Sequence, residues 1–530
     1  MKNESELKNL VRQWANSSEG RSQKIQLDLA HAPELMKILQ HHHAPARLLE
    51  LVLDHCRHDL RKDSGVFFTP GRSAEKIVRN ALDIWQKNHP SYAELCNIKI
   101  LDPACGVGEF LLAALDILVE KHRQFVPQQP IRKLWRKIIN HNLYGIDINP
   151  DIMELLYLRL EIMAGKPLKR DHFVCTDALN AVSAGEFFGG KIKFDLAVGN
   201  PPYVSFGLRN SGRIERQRSM ELRKRFANSA EYKISTYALF MEFAFNSIRR
   251  GGVNAFIVPD SFLCGQYFTK LRKFLLQKSS IEQISIVNNS LFRANPGRLV
   301  IYYLTRKRPD ADHKLLSVLL QNSNELIPDR IYPMQQSEFK HNFRCRFRLF
   351  FDPLVHQRVR QIEQNAVCKL SDLVTLASGL VAKAGKKSII SQSPQPEGCW
   401  QRGITNGRSV LPNRQPLWQG EYINMDPAVI KSGISKVDYF QDKLLIRQTG
   451  DRIIAAVDKD NLLVLNNLHI AVAKKKFLDL DRLASYLNGD EMLFYYQAVT
   501  LEADRPMAQI DLETLRELPM KDFFRQNKTK

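Results

Sequence analysis

From about residue 66 to 305 the chain alternates short apolar runs with stretches whose apolar residues recur every three to four positions. The runs IKILDPA, YGIDI, FDLAVGN, VNAFIV, ISIVNN and LVIYYLT read as buried strands, and the stretches between them as amphipathic helices. Such alternation predicts a parallel, doubly wound α/β sheet. Ahead of it, Leu35, Ile38, Leu39, Leu48, Leu49, Val52 and Leu53 fall at helical spacing, and a turn at Asp63-Ser64-Gly65 follows. Residues 309–345 are rich in charge and proline and read as a connection. Beyond 346, the strands KLLIRQ, RIIAAV, LLVLNN and LHIAVA are separated by Gly- and Pro-containing turns, with helices expected at about 480–496 and 511–518. The expected organisation is a helical segment over 1–60, an α/β domain over 61–308, a connection over 309–345 and an α+β domain over 346–530.

Charge narrows the partners. The chain carries 77 Lys+Arg against 56 Asp+Glu, a formal net charge of +21, which favours a polyanion, above all nucleic acid. None of the eight cysteines forms a Cys-x-x-Cys pair, so neither a zinc site nor a disulfide framework is expected, and reduced thiols fit a cytoplasmic setting. The opening MKNESELKNL is too polar for a signal peptide, and no window has the length and apolarity of a membrane span, so no membrane partner is expected. His41, His42 and His43 are consecutive, cannot share a helical face, and read as solvated surface; no metal is expected.

Four strand ends carry candidate chemistry. In Leu101-Asp102-Pro103-Ala104-Cys105-Gly106-Val107-Gly108-Glu109-Phe110, Gly106 and Gly108 allow a tight turn and close backbone approach to a ligand, and Asp102 is an acceptor for a cationic amine. In Tyr144-Gly145-Ile146-Asp147-Ile148-Asn149-Pro150, Asp147 suits ribose hydroxyls and Ile148 a purine face; Asp147 read alone fits a solvated strand-end acid equally well. It lies further from Asp102 than the ~20 residues of a dinucleotide fold, the excess being a basic helical stretch over 124–142. In Cys175-Thr176-Asp177-Ala178-Leu179, Asp177 suits an adenine amino group or an Asx turn. The fourth is Val198-Gly199-Asn200-Pro201-Pro202-Tyr203. Its prolines stiffen the loop and remove two backbone donors. An amine held by the Asn200 side-chain oxygen and the Pro201 carbonyl has both protons engaged and its lone pair turned toward a methyl donor. Tyr203 supplies a ring on which a base stacks.

The order and wording of these motifs resemble the gamma-class, Taq-type adenine-N6 DNA methyltransferases of restriction–modification systems, over about 60–305 and 370–525. Gly65-Val66-Phe67-Phe68-Thr69-Pro70 is similar to that family's upstream cofactor motif, and KLLIRQTGDRIIAAVDKDNLLVLNNLHI and MAQIDLETLRELP to its C-terminal specificity domain. The resemblance implies a Rossmann-like class I methyltransferase sheet followed by a target-recognition domain, with S-adenosyl-L-methionine as cofactor and double-stranded DNA as substrate. It implies that Thr69, Pro70, Asp102, Ala104 and Gly106 lie near the methionine end of the cofactor. Asp147 would bind the ribose, Asp177 and Ala178 the adenine, and Phe240, in Tyr237-Ala238-Leu239-Phe240-Met241-Glu242, would pack on that adenine. Phe292, in Ser290-Leu291-Phe292, is the implied second aromatic for the target base and candidate partner to Tyr203, a buried core phenylalanine being the competing reading.

Such an enzyme flips the adenine out of the duplex to reach the cofactor. It gains its rate from alignment and electrostatics. Asn200, Pro201, Pro202 and Tyr203 form the expected catalytic loop. Arg408, Arg414, Arg447 and Arg452 are candidate DNA contacts, although a solvated or ion-paired arginine is for each the commoner case. A restriction endonuclease partner is expected as a separate chain. The rival readings are methylation of RNA adenine or protein glutamine, and a non-catalytic DNA-binding subunit of the same fold. Pro328-Asp329 with Glu338-Phe339-Lys340 formally fits a nuclease pattern, but so short a string arises often by chance.

Overall fold

The computed structural model describes residues 69–523 except 191, 207–213, 288–296, 322–324, 435–436 and 504–507, together with the side chains of 151, 155, 158 and 162. The helical segment expected over 1–60, most of the upstream motif and Phe292 lie outside the described residues. The chain divides after Phe347 into two compact units.

The first unit is built on a nine-stranded sheet. Its strands are β1 (Ile100–Asp102), β2 (Leu143–Asp147), β3 (Phe173–Cys175), β4 (Phe194–Gly199), β7 (Ile248–Pro259), β8 (Ser280–Val287), β9 (Leu299–Thr305), β10 (Lys314–Leu320) and β11 (Pro328–Gln335). A separate antiparallel pair, β5 (Ser205–Phe206) with β6 (Ile234–Ser235), flanks the loop after β4. The sheet order is β11-β10-β8-β9-β7-β4-β1-β2-β3. Strands β3, β2, β1, β4 and β7 are parallel, while β9 runs against both β7 and β8. Burial of β1, β4 and β9 at every position explains their continuous apolar runs.

Residues 309–345 depart from expectation. Instead of a connection, they hold β10, parallel to β8, and β11, antiparallel to β10, which extend the sheet. Lys314 and Leu316 point to solvent while Leu315 and Val318 are buried, and β11 is an edge strand exposed over its first four residues. Charge, proline and incomplete cover therefore masked the pattern: β10 is exposed at Lys314 and Leu316, and β11 over its first half.

Helices α1 (Gly71–Gln86), α2 (Tyr92–Asn97), α3 (Glu109–Phe125), α4 (Ile131–His141) and α5 (Pro150–Ala164) precede β4 in the chain. One core joins α1, α3, α4 and α5 to Ile100, Leu196, Val198, Val253, Ala255 and Ile257. Alternate strand residues such as Leu101, Ala197 and Phe256 face the other side. After α6 (Arg216–Arg225), helix α7 (Thr236–Ser247) packs against β4 and β7. All but one of its residues are buried, as an apolar sequence on every face requires. Helix α8 (Thr269–Lys278) follows β7.

The second unit is α+β. Val374–Ser378, Leu468–Ala473, Lys443–Arg447 and Ala455–Asp458 form an antiparallel four-stranded sheet over a core with Ile404, Ile423, Leu445 and Ile470. The helix expected over 480–496 is two helices, Leu480–Leu487 and Asp490–Thr500, broken at Asn488-Gly489. No helix among the described residues is long and apolar enough to cross a membrane.

Candidate active site

Because β1 has β2 on one side and β4 on the other, the loops leaving β1, β2 and β4 emerge together at the carboxyl edge of the sheet, where open α/β sheets form a crevice. Beyond Asp102, the Cys105 amide donates to the Ile146 carbonyl (2.9 Å) and the Gly106 amide to Asp147 Oδ2 (2.9 Å). Gly108 caps α3 at φ 90°, a left-handed conformation that favours glycine, with the Leu156 side chain packed close by. Arg159, from α5, ties the far end of the loop down by donating to the Val107 carbonyl (3.1 Å) and pairing with Glu109 (2.8 Å). The opening of α1 lies against the same place, since a Cβ on Gly71 would be 3.3 Å from Glu109 Oε2. Thr69 and Pro70, immediately before it, are thereby brought to the loop. The Thr69 hydroxyl is buried without a hydrogen-bond partner among the described residues.

Asp102 is 1% exposed, and its Oδ1 accepts from the Ala104 amide (3.1 Å). Burial pushes its carboxyl up to about 8, with one amide bond opposing and the Asp147 charge adding to the shift. Asp147 is half-buried, its Oδ1 accepting from the Asn149 amide (2.9 Å). Burial raises it too, against three backbone amides that favour its charged form. Ile148 beside it is 68% exposed, a free apolar side chain at the mouth of the crevice. The Asp147 carbonyl also accepts from the Thr176 amide (2.9 Å), which joins the end of β3 to the cluster.

Asp177 is engaged on both oxygens. Oδ1 accepts from the Leu179 amide (2.9 Å), an Asx-type turn, and Oδ2 pairs with Arg218 of α6 (2.5 Å). Arg218 also donates to Asn180 Oδ1 (2.9 Å). Ala178 is buried, and α7, which carries the buried Phe240, packs against this turn.

The fourth motif leaves β4 hard against the first. A Cβ on Gly199 would lie 2.7 Å from Asp102 Oδ1, so glycine here allows the loop after β4 to touch the buried carboxyl. The Tyr203 hydroxyl donates to Asn200 Oδ1 (2.5 Å) and lies 3.1 Å from the Ile257 carbonyl. Burial holds this phenol well above its usual range, with Tyr237 adding to the shift, so it stays a donor. The Tyr203 ring meets Tyr237 edge-on, at 6.4 Å and 88°. Thr236 clamps the other side: its hydroxyl bonds to the Pro202 carbonyl and accepts from the Val204 amide (3.0 Å), while its own amide donates to the Val204 carbonyl (2.8 Å). Pro201 is buried and Pro202 half-buried. The loop is thus held rigid at both ends before any ligand arrives.

Asp102, Asp147, Gly106 and the Asn200–Tyr203 loop converge at one sheet edge. Arg159, Thr236 and Arg218, which position them, carried no sequence signal, because each acts across at least 30 residues of chain. The nuclease-like string does not converge: Asp329 is the second residue of β11, whereas Glu338 opens a short helix after the strand's other end. Among the described residues no group of three His, Cys, Asp or Glu side chains is placed to hold a metal ion. In the second unit, Arg447 is spent on the Val410 and Arg408 carbonyls (2.8 and 3.4 Å), whereas Arg408 and Arg414 are exposed.

Comparison with known proteins agrees with this architecture. Residues 141–292 match the Eco57I restriction-modification methylase family model, and residues 403–520 that of the TaqI-like C-terminal specificity domain. The chain is 24% identical over 291 residues to the type II restriction enzyme and methyltransferase RM.Eco57I of Escherichia coli, covering 47% of this chain and 28% of that protein. It is 26% identical over 236 residues to the type II methyltransferase M.BstVI of Geobacillus stearothermophilus, covering 43% and 39%. The matches therefore span well under two thirds of these relatives' own lengths. Among solved structures, the type ISP restriction-modification enzyme LlaGI (a nuclease-deletion mutant) aligns with a TM-score of 0.57 at 13% identity, covering 86% of this chain and 46% of that one. The type IIL restriction-modification enzyme MmeI aligns at 0.56 and 16% identity, covering 83% and 66%. These likenesses establish the fold. The chain carries an Eco57I-type restriction-modification methylase domain followed by a TaqI-like C-terminal specificity domain.

Proposed function

We propose that this protein is a site-specific DNA methyltransferase that transfers the methyl group of S-adenosyl-L-methionine to the N6 amino group of a flipped-out adenine, as the modification component of a restriction–modification system. The observation that carries the reading is the Asn200-Pro201-Pro202-Tyr203 loop, clamped at both ends and touching Asp102 through Gly199. The matched specificity domain, the net charge of +21, and the solved complexes of LlaGI with a DNA substrate mimic and of MmeI with DNA support DNA as the partner. A separate endonuclease chain is the further partner.

The crevice suits the cofactor. A buried, strained-to-ionise Asp102 is met by a cationic amine, and the orphaned Thr69 hydroxyl beside Pro70 gains a partner at the same end. Ala104, Gly106 and Gly108 carry the backbone past it; Asp147 takes the ribose; Ile148, Asp177, Ala178 and Phe240 enclose the purine. Bound there, the cofactor supplies a methyl group on a positively charged sulfur. The Asn200 side-chain oxygen and the Pro201 carbonyl accept hydrogen bonds from the two N–H groups of the adenine amine, turning its lone pair toward that methyl. The Tyr203 hydroxyl fixes the Asn200 amide, and with Phe292 its ring stacks the base.

The test is transfer of labelled methyl from S-adenosyl-L-methionine to duplex DNA, followed by digestion to nucleosides. N6-methyladenine is the expected product. Asn200→Ala should lower transfer at least ~100-fold, in the range of a lost positioning donor or acceptor, with cofactor affinity near wild type. Transfer to RNA or to a protein glutamine, with none to DNA, overturns the substrate.

A further inference from the structure

The chain between β5 and β6 leaves the catalytic loop and returns to it at the Thr236 clamp. Its return carries an exposed aromatic. Tyr232 is 79% exposed, with one face stacked on Tyr267 (centroids 5.6 Å apart, 27° between planes). The Lys233 ammonium sits 5.1 Å from the Tyr267 ring. The tip is anchored on two sides. Arg223 of α6 donates to the Ala230, Glu231 and Tyr232 carbonyls, and the Glu231 carboxylate accepts from the Lys270 amide at the start of α8. An aromatic ring costs hydration free energy when left in water, yet this one is held out in water by bonds to its own backbone. The residue after Tyr267, Phe268, stacks on Tyr237, and Tyr237 meets Tyr203 edge-on. Two consecutive residues thus back the exposed ring on one hand and reach the aromatic pair at the catalytic loop on the other. Helix α6 alongside has five basic residues and one acidic.

Resting on the methyltransferase reading, we propose that Tyr232, backed by Tyr267 and flanked by Lys233, is a second stacking platform, which takes a nucleobase of the DNA adjoining the target adenine. Base stacking on an aromatic tolerates any sequence, and a neighbouring ammonium meets the phosphate that accompanies the base. The platform holds open the strand from which the target is drawn, while Tyr203 serves the target itself.

Two labelled duplexes test it by fluorescence anisotropy, one fully paired and one with a single unpaired nucleotide. The wild-type chain should prefer the unpaired form; Tyr232→Ala should lose about tenfold in affinity for that form, the scale of one stacked base, and Tyr232→Phe should keep it. Because the ring is exposed, an unchanged urea unfolding midpoint verifies that the variant is folded. Equal affinity of Tyr232→Ala and wild type for the unpaired duplex overturns the platform, as does an equal loss on both duplexes, which would assign the residue to the phosphates. The readout needs no methyl transfer. A chain that shows the Tyr232-dependent preference yet methylates no adenine refutes the catalytic reading alone.

Discussion

At the scale of single residues, the site stores its chemistry in groups kept away from their preferred state. Asp102 is the sharpest case. With its carboxyl pushed up to about 8, the folded protein holds a proton at neutral pH that an unfolded chain, with an ordinary value near ~4, has released. The unfolded state then binds fewer protons, so this residue's contribution to stability falls as pH rises from about 4 to about 8 and is level above. A cation beside the carboxyl favours its charged form, so cofactor affinity should rise with pH over the upper part of that window. Asp147, raised in the same direction, is the other titrating acid nearby. Calorimetric titration at about pH 6, 7 and 8 should show affinity climbing in the wild type and a flatter profile in Asp102→Asn. Identical slopes in the two proteins would remove Asp102 from the cofactor site.

At the scale of elements, what was legible in the sequence follows from burial. The six long apolar runs are all strands, because strands covered on both sides need apolar residues at every position. The motifs at their ends could be ordered for the same reason. Strands β10 and β11 were hidden because they are incompletely covered, Lys314, Leu316 and the first half of β11 lying exposed, and β5 and β6 because two residues carry no period. The contacts that tune the motifs were hidden by distance along the chain: nothing in RQRSMELRKR marks Arg218 as the partner of Asp177. That pair ties α6 to the turn expected to read the cofactor's purine. Both side chains are partly exposed, so the pair is a modest one. Arg218→Ala should weaken cofactor binding about threefold to fivefold, equivalent to ~1 kcal/mol, and leave the turnover rate at saturating cofactor unchanged. An unaltered dissociation constant would show that Asp177 needs no such support.

At the scale of the whole molecule, the two compact units hold the two matched domains separately, and their stabilities should be separable. Lys443 and Asp458 give the means. They face each other across an antiparallel strand pair, both fully buried, at 2.6 Å. Lys443 also donates to the Tyr439 carbonyl (2.7 Å), and Asp458 accepts from the Asp460 and Leu462 amides (both 2.9 Å). Removing one partner of such a pair leaves an uncompensated charge and costs ~3–5 kcal/mol. Lys443→Met should therefore lower one calorimetric unfolding transition sharply, leaving unmoved the transition that S-adenosyl-L-methionine raises. A common shift of both transitions would mean that the units unfold as one.

The edge of the large sheet shows the same economy turned outward. A terminal strand offers its unused amides and carbonyls to any passing chain, and a sheet of nine strands has much to lose by growing a tenth. Strand β11 begins with Pro328 and has Pro333 inside it, with Asp329 and Arg330 exposed between them. Two missing N–H groups and a pair of opposite charges make a poor template. The residues that disguised this strand in the sequence are thus the ones that make its edge a poor template for a further strand.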